Sequence, residues 1–275
     1  MIEKVIAQRK ETGERRNDII DLVLDEMKSN SLSEDFTPEE KELIMVSNAL
    51  VMFFAGFDST AISLSKIAHK LVLHPDIQDK VLQEIEETLG DEDEVTPDAV
   101  NQLKYMDQVI NESLRHEDIL TSHERMCTKD YLIPGTNMTI PKGRVVKVYF
   151  TNMELDEKNF KNPHNFDPEN FAPENEHNKF AFMPFSQGPR KCIGKLVNIW
   201  KRVDWLFSGQ RFAMMSMKVG LAHLLRKQRL VACEKTNMGK LEVKTALKMF
   251  SAHFTFYSLF QHEIGFKLKL IMFSD

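Results

Sequence analysis

Ten consecutive residues, Phe185-Ser186-Gln187-Gly188-Pro189-Arg190-Lys191-Cys192-Ile193-Gly194, place one cysteine in a glycine- and proline-bearing loop directly behind two cations. A thiol ordinarily ionises near pH ~8.5, and adjacent positive charge favours the thiolate, so Cys192 reads as an anionic sulfur. A soft sulfur anion suits an iron. Gly188 and Gly194 let the backbone turn tightly and bring its N–H groups against a large flat ligand. Phe185 stands seven residues before the cysteine, where an aromatic ring can shield the sulfur from water. The competing reading is a turn built around a buried cysteine.

Two further clusters carry chemistry. Ala55-Gly56-Phe57-Asp58-Ser59-Thr60 falls inside a helical pattern, where glycine costs about 1 kcal/mol relative to alanine and needs a reason such as close approach of a ligand. Asp58 with Ser59 or Thr60 offers an acid beside hydroxyls, the groups that pass protons to a bound oxygen; a kinked core helix is the alternative. Glu112-Ser113-Leu114-Arg115 sets opposite charges three residues apart on one helical face. Such a pair is worth only about 0.2–0.5 kcal/mol when exposed.

The elements that must position these groups follow from the pattern. Residues 17–28 predict an amphipathic helix capped by Asn17. Thr37-Pro38-Glu39-Glu40 is a helix start with hydroxyl cap, proline at the first helical position and glutamate three residues on, opening a helix to about His74. Pro75 begins another, over 76–90, with Gly90 as its C-cap, and Thr96-Pro97-Asp98 repeats the start signal before a helix over 105–115. From Thr128 the texture turns to short β-prone runs broken by Pro134-Gly135 and Pro141-Lys142-Gly143, which predict hairpin strands. Prolines at 163, 168 and 173 mark a loop-rich approach to the cysteine, helix returns over about 211–229, and 242–270 is strand-like at best. The apolar run 49–57 is too short to cross a bilayer and reads as a buried helix segment.

A chain of 275 residues, 42% hydrophobic and 28% charged, can bury a sizeable core. Its net charge of −5 leaves no nucleic-acid footprint. The acidic run Asp91-Glu92-Asp93-Glu94 and the basic run Arg226-Lys227-Gln228-Arg229 read as solvated loops and helix ends. Cys127, Cys192 and Cys233 form neither a zinc pattern nor a disulfide framework, which fits a reducing compartment. The start, residues 1–10, is charged throughout and carries no signal or anchor, so the chain as given reads as cytosolic.

Taken in order, the clusters resemble the cytochrome P-450 family, the haem-thiolate monooxygenases, and within it the insect microsomal members. The cysteine loop matches the family's haem-binding pattern of Phe, Gly, any, Gly, any, Arg, any, Cys, any, Gly, departing only at Ser186. A small polar residue there is tolerated unless the backbone needs a positive φ. Residues 55–60 resemble the family's distal helix, with Ser59 where the family has threonine and Thr60 next; Glu112 and Arg115 match its Glu-x-x-Arg pair. Asp118 and Ile119 stand where the family has prolines, and Asn170 stands where a bracing arginine is expected and cannot supply a guanidinium fork.

The resemblance implies a mainly α fold with small β-sheets, the C-terminal portion of the family's fold. It implies a single partial domain: a helical part over 1–127, small strands and the haem-binding loop over 128–194, an insertion over 195–209, and a terminal helix with strands over 210–275. It implies haem as cofactor, Cys192 as iron ligand, Arg125 and Arg190 as propionate contacts, Phe185 and Gly194 lining the cofactor, Asp58 with Ser59 or Thr60 as proton relay, and Glu112 with Arg115 as structural brace. It also implies a small lipophilic substrate, an NADPH-dependent flavoprotein reductase docking on the cysteine side near Arg190, Lys191 and Lys195, and an endoplasmic-reticulum membrane location for the complete parent. The parent's anchor and distal-pocket helices have no counterpart in the chain, so a truncated, non-catalytic product retaining at most haem binding stands as the alternative.

After Gly194 the family would continue into a helix in words resembling Gln210-Arg211-Phe212-Ala213-Met214; fifteen residues, 195–209, intervene. Gly194-Lys195 can be encoded with a splice donor and Phe207-Ser208-Gly209 with a pyrimidine-rich acceptor, and loss of the intervening 45 nucleotides leaves a single glycine, so the segment reads as a retained intron. Its apolar spacing, Leu196, Val197, Ile199, Trp200, Val203, Leu206 and Phe207, is roughly helical, so it could take over as the helix behind the cysteine and displace 210–229.

Overall fold

The computed structural model describes residues 2–29, 36–90, 95–116, 122–175, 178, 180–188, 191–192, 209–234, 236 and 269–272. The chain divides into two compact units, Met1–Ala61 and Ile62–Asp275.

In the first unit, α1 (Ile2–Thr12) and α2 (Ile19–Ser29) share a small core with the start of α3 (Pro38–Leu73). Ile6, Ile20, Val23, Leu24, Met45 and Ala49 fill it. The predicted cap of α2 is one residue out. Asn17 lies outside the helix with φ 53, and Asp18 caps instead, its Oδ1 accepting from the N–H groups of Ile20 at 3.0 Å and Asp21 at 3.3 Å. A carboxylate suits the positive end of a helix better than an amide does. Asp18 also takes both terminal nitrogens of the buried Arg9, at 2.6 Å each, and that hydrogen-bonded cation pulls its carboxyl down to about 2. At the start of α3 the expected box forms: Glu40 N–H donates to Thr37 Oγ1 at 3.3 Å while Glu40 Oε2 accepts from Thr37 N–H at 2.9 Å.

The run 49–57 is not the buried segment its composition predicts. Leu50, Val51, Met52, Phe53, Phe54 and Phe57 are exposed, and Phe53 and Phe57 stack at 6.3 Å. α3 supplies Met45 and Ala49 to the first core and Ile67, Ala68, Leu71 and Val72 to the second, so its middle belongs to neither. Counted whole, the 36-residue helix is also long and apolar enough to cross a membrane by length and composition, because apolar residues continue beyond the short run.

The second unit gathers the end of α3 with α4 (Pro75–Leu89), the one-turn α5 (Pro97–Val100), α6 (Lys104–His116) and α8 (Gly209–Leu225). Ile77, Val81, Ile85 and Leu89 recur every fourth residue on α4, and they bury against Met106 and Ile110 of α6 and Met217, Leu221 and Leu225 of α8. The first N–H groups of α6 are satisfied across the core, where Glu84 accepts from Tyr105 at 2.6 Å and Met106 at 2.8 Å. α7 (Phe150–Glu154) and a 3-10 turn at Pro168–Phe171 lie along the approach to the cysteine.

The sheets are small and antiparallel: β1 (Ser122–Met126) with β4 (Val145–Tyr149), β2 (Tyr131–Leu132) with β3 (Thr139–Ile140), and β5 (Gln228–Val231) with β6 (Lys269–Met272). The hairpin at Pro134-Gly135 is as predicted, with Gly135 at φ 76. β1 falls inside the stretch expected to be helical; Ser-His-Glu-Arg-Met has no alternation to betray it and is a strand because β4 pairs with it. The helix expected to reach Arg229 stops at Leu225, and 228–231 pair with β6 instead. Most of 242–270 lies outside the described residues. α8 sits in the main core with Met217 and Ala222 buried.

Gln78 ties α4 to β5. Its Nε2 donates to the carbonyls of Leu230 at 3.0 Å and Leu71 at 3.2 Å, and its Oε1 accepts from Leu230 N–H at 2.8 Å. Gln78→Ala strips partners from these buried groups and is expected to cost about 2–3 kcal/mol, read as a lower urea midpoint; a change within error would show the tie to be idle.

Candidate functional site

The cysteine loop is wound on its own backbone. Ser186 N–H donates to Met183 O at 2.9 Å, Lys191 N–H to Gly188 O at 3.2 Å and Cys192 N–H to Phe185 O at 2.9 Å. The turn needs left-handed backbone at two places, Ser186 with φ 59 and Gly188 with φ 78. Glycine adopts that region freely, whereas a side-chain-bearing residue pays about 1–2 kcal/mol. Ser186 therefore carries backbone strain that a glycine at this place would not.

Cys192 is a free, exposed thiol, which removes the alternative of a buried structural cysteine. Phe185 is half-buried and packs on the main core, so the loop is anchored on one side by its aromatic ring. Arg125 reaches the loop from β1: its Nη2 donates to Ser186 Oγ at 3.1 Å and its Nη1 to Glu124 O at 2.8 Å. His123, two residues earlier on the strand, stacks edge-on against Phe150 at 4.5 Å, and burial followed by the Arg125 charge holds its imidazole below the ordinary value. Arg190 and Gly194, and residues 195–208, lie outside the described residues.

Behind the loop, Glu112 and Arg115 are fully buried, not the exposed pair that their spacing alone would price. Arg115 Nε and Nη2 grip the two carboxylate oxygens at 2.8 and 2.7 Å, and its Nη1 donates to the carbonyls of Glu154 at 2.7 Å and Pro163 at 2.8 Å. Burial alone would push the Glu112 carboxyl up; hydrogen bonds from Arg115, His116 and the Asp167 backbone outweigh it and hold it below the ordinary range. Asn170 occupies the place of the expected arginine and gives Glu112 Oε1 a single amide bond at 3.2 Å, beside the Asp167 N–H at 2.9 Å. The Arg115 guanidinium lies over Phe160 at 4.9 Å, and Phe160, Phe171 and Phe182 follow in contact at 5.9 and 4.7 Å. This aromatic chain carries the brace to the foot of the cysteine loop. Neither His116 nor the Asp167 backbone is marked by any sequence motif; the asparagine at 170 is the one signal that Glu112 must find other partners.

Asp58, Ser59 and Thr60 lie on α3 in the first unit and are partly exposed. Ser59 Oγ donates to Ala55 O at 2.6 Å, one turn back. Among the described residues, no atom beyond the helix's own backbone and the adjoining residues lies within 4 Å of where a Cβ on Gly56 would stand.

The donor set fits a haem. An open thiol on a tight loop can ligate iron through sulfur, and Arg125, with five N–H donors of which two are engaged above, can hold a carboxylate beside it. Among the described residues no group of histidines, cysteines and carboxylates could hold a bare metal ion.

Residues 1–201 match the cytochrome P450 family. The chain is 31% identical over 241 residues to probable cytochrome P450 6w1 of Drosophila melanogaster, covering 84% of this chain and 44% of that protein. It is 34% identical over 231 residues to cytochrome P450 3A7 of Homo sapiens, covering 83% of this chain and 42% of the relative. Against cytochrome P450 6B2 of Helicoverpa armigera it is 33% identical over 203 residues, covering 70% and 40%. The chain thus spans less than half the length of the curated relatives it matches, insect and mammalian alike. With its helix-rich fold, its thiol loop and its buried Glu-x-x-Arg pair, the chain belongs to the cytochrome P450 family.

Proposed function

We propose that the chain is the haem-binding, C-terminal portion of a haem-thiolate monooxygenase, which inserts one oxygen atom from dioxygen into a small lipophilic substrate. The observation that carries the reading is the exposed, free Cys192 on a tight loop anchored by Phe185 and reached by Arg125. Haem bound through cysteine sulfur supplies cleavage of the dioxygen O–O bond. In this reading Cys192 binds the iron, Arg125 and Arg190 hold the propionates, and Phe185 and Gly194 line the cofactor. Asp58 with Ser59 or Thr60 moves protons from solvent along α3, and Glu112 with Arg115 braces the fold behind the thiol. Electrons come from an NADPH-dependent flavoprotein reductase drawn to the cationic side at Arg190 and Lys191, and the complete protein works at the endoplasmic-reticulum membrane.

The same reading treats 195–209 as sequence foreign to the mature protein, since words resembling the family's continuation stand only behind it, at Gln210-Arg211-Phe212-Ala213-Met214. Amplified cDNA should lack those 45 nucleotides; a dominant product retaining them would remove the splicing account. The function itself is tested by titrating the apo-chain with haemin. Uptake of one equivalent with a Soret change is expected, and uptake no better than by an unrelated protein of similar charge would refute it.

A further inference from the structure

Three described residues outside glycine have left-handed backbone, Asn17, Asn162 and Ser186, with φ of 53, 47 and 59. Asparagine tolerates that region through its short amide side chain, and serine does so far less readily. Glycine would occupy position 186 without strain, since the loop's own hydrogen bonds impose the conformation: Ser186 N–H to Met183 O at 2.9 Å and Cys192 N–H to Phe185 O at 2.9 Å. The side chain that incurs the strain makes one long-range bond, its Oγ accepting from Arg125 Nη2 at 3.1 Å across 61 residues of sequence. At its other end the guanidinium is fixed by Nη1 on the carbonyl of Glu124 at 2.8 Å.

We infer that Ser186 is a positioning residue: its hydroxyl fixes the Arg125 guanidinium beside the cysteine loop, so that Arg125 meets a cofactor carboxylate already oriented. The inference rests on the haem reading above. It assigns to Ser186 a role that the glycine normally written at that place cannot have. A guanidinium held at both ends by neutral acceptors keeps its full charge and its remaining N–H donors for an anion. Without the hydroxyl, an exposed arginine on a short strand regains its rotamers and must be ordered anew when the anion arrives.

The test uses the full chain with Ser186→Gly and Ser186→Ala, each titrated with haemin and with haemin dimethyl ester, whose propionates are blocked. Loss of one ordering hydrogen bond predicts about fivefold to tenfold weaker haemin binding by both variants, and no difference from the unaltered chain with the ester. Apo-chain melting separates this from mere loop damage: Ser186→Gly relieves the strained φ and should melt about 2–4 °C higher, while Ser186→Ala keeps the strain, loses the bond and should melt lower. Haemin affinity unchanged in Ser186→Gly, or an equal loss with the ester, overturns the positioning role while leaving haem binding intact. Failure of the unaltered chain to bind either porphyrin overturns the haem reading, and this inference with it.

Discussion

Glu112→Ala is expected to cost about 3–5 kcal/mol and to unfold much of the second unit at room temperature, because it leaves the guanidinium of Arg115 buried without its counter-charge. Both side chains are fully shielded from water, so no solvent replaces the lost carboxylate. The carbonyls of Glu154 and Pro163 would still accept from Nη1, but neutral acceptors do not compensate a buried charge. The loss should reach the cysteine loop through Phe160, Phe171 and Phe182. Replacing both partners, Glu112→Leu with Arg115→Met, should cost less than Glu112→Ala alone, since no buried charge then remains. Far-ultraviolet dichroism against urea reads both; a single-variant cost below about 1 kcal/mol would mean that the pair is solvated and ordinary. The pH dependence has a definite sign. Glu112 is held below its ordinary value, so its contribution is present above the unfolded carboxyl value, about 4.3, and is lost as pH falls through the lower folded one.

Cys192→Ser is expected to leave the fold of the apo-chain unchanged and to abolish thiolate ligation of haem iron. The thiol is exposed and its backbone N–H already serves the loop by bonding to Phe185 O, so a hydroxyl of similar size disturbs little packing. The whole effect should therefore fall on the iron, for a serine hydroxyl is a hard, weakly acidic ligand. An apo-chain melting temperature within a degree or two of the unaltered protein, together with loss of the thiolate-type Soret band, is the expected pair of results. A retained band would assign the sulfur ligand elsewhere, to Cys127 or Cys233.

What the sequence disclosed was local chemistry. The Thr37–Glu40 box, the Gly90 cap and the cysteine loop are each written within ten residues, and each appears where predicted. What it hid was pairing at a distance. Gln78 meets Leu230 across 152 residues, and Arg125 meets Ser186 across 61, and nothing in either neighbourhood announces the other. β1 has no apolar alternation and is a strand because β4 lies beside it. Phe53 and Phe57 show the converse: apolar residues in a helical run predict burial, yet both are exposed, because periodicity marks a face and not its surroundings. Position 170 was legible as a loss, an asparagine for an arginine, but not as the repair that Asp167 N–H and His116 help to make.

The central claim is that Cys192 binds haem iron as a thiolate, and its most direct test is the absorption spectrum of the haem-supplied chain, reduced and bound to carbon monoxide. The account predicts a thiolate-type Soret band in the intact chain. A band confined to a version lacking 195–209 would leave the Cys192 assignment standing and mark that segment as an obstruction. No such band in either version, from protein that is folded and has taken up haem, would contradict the claim.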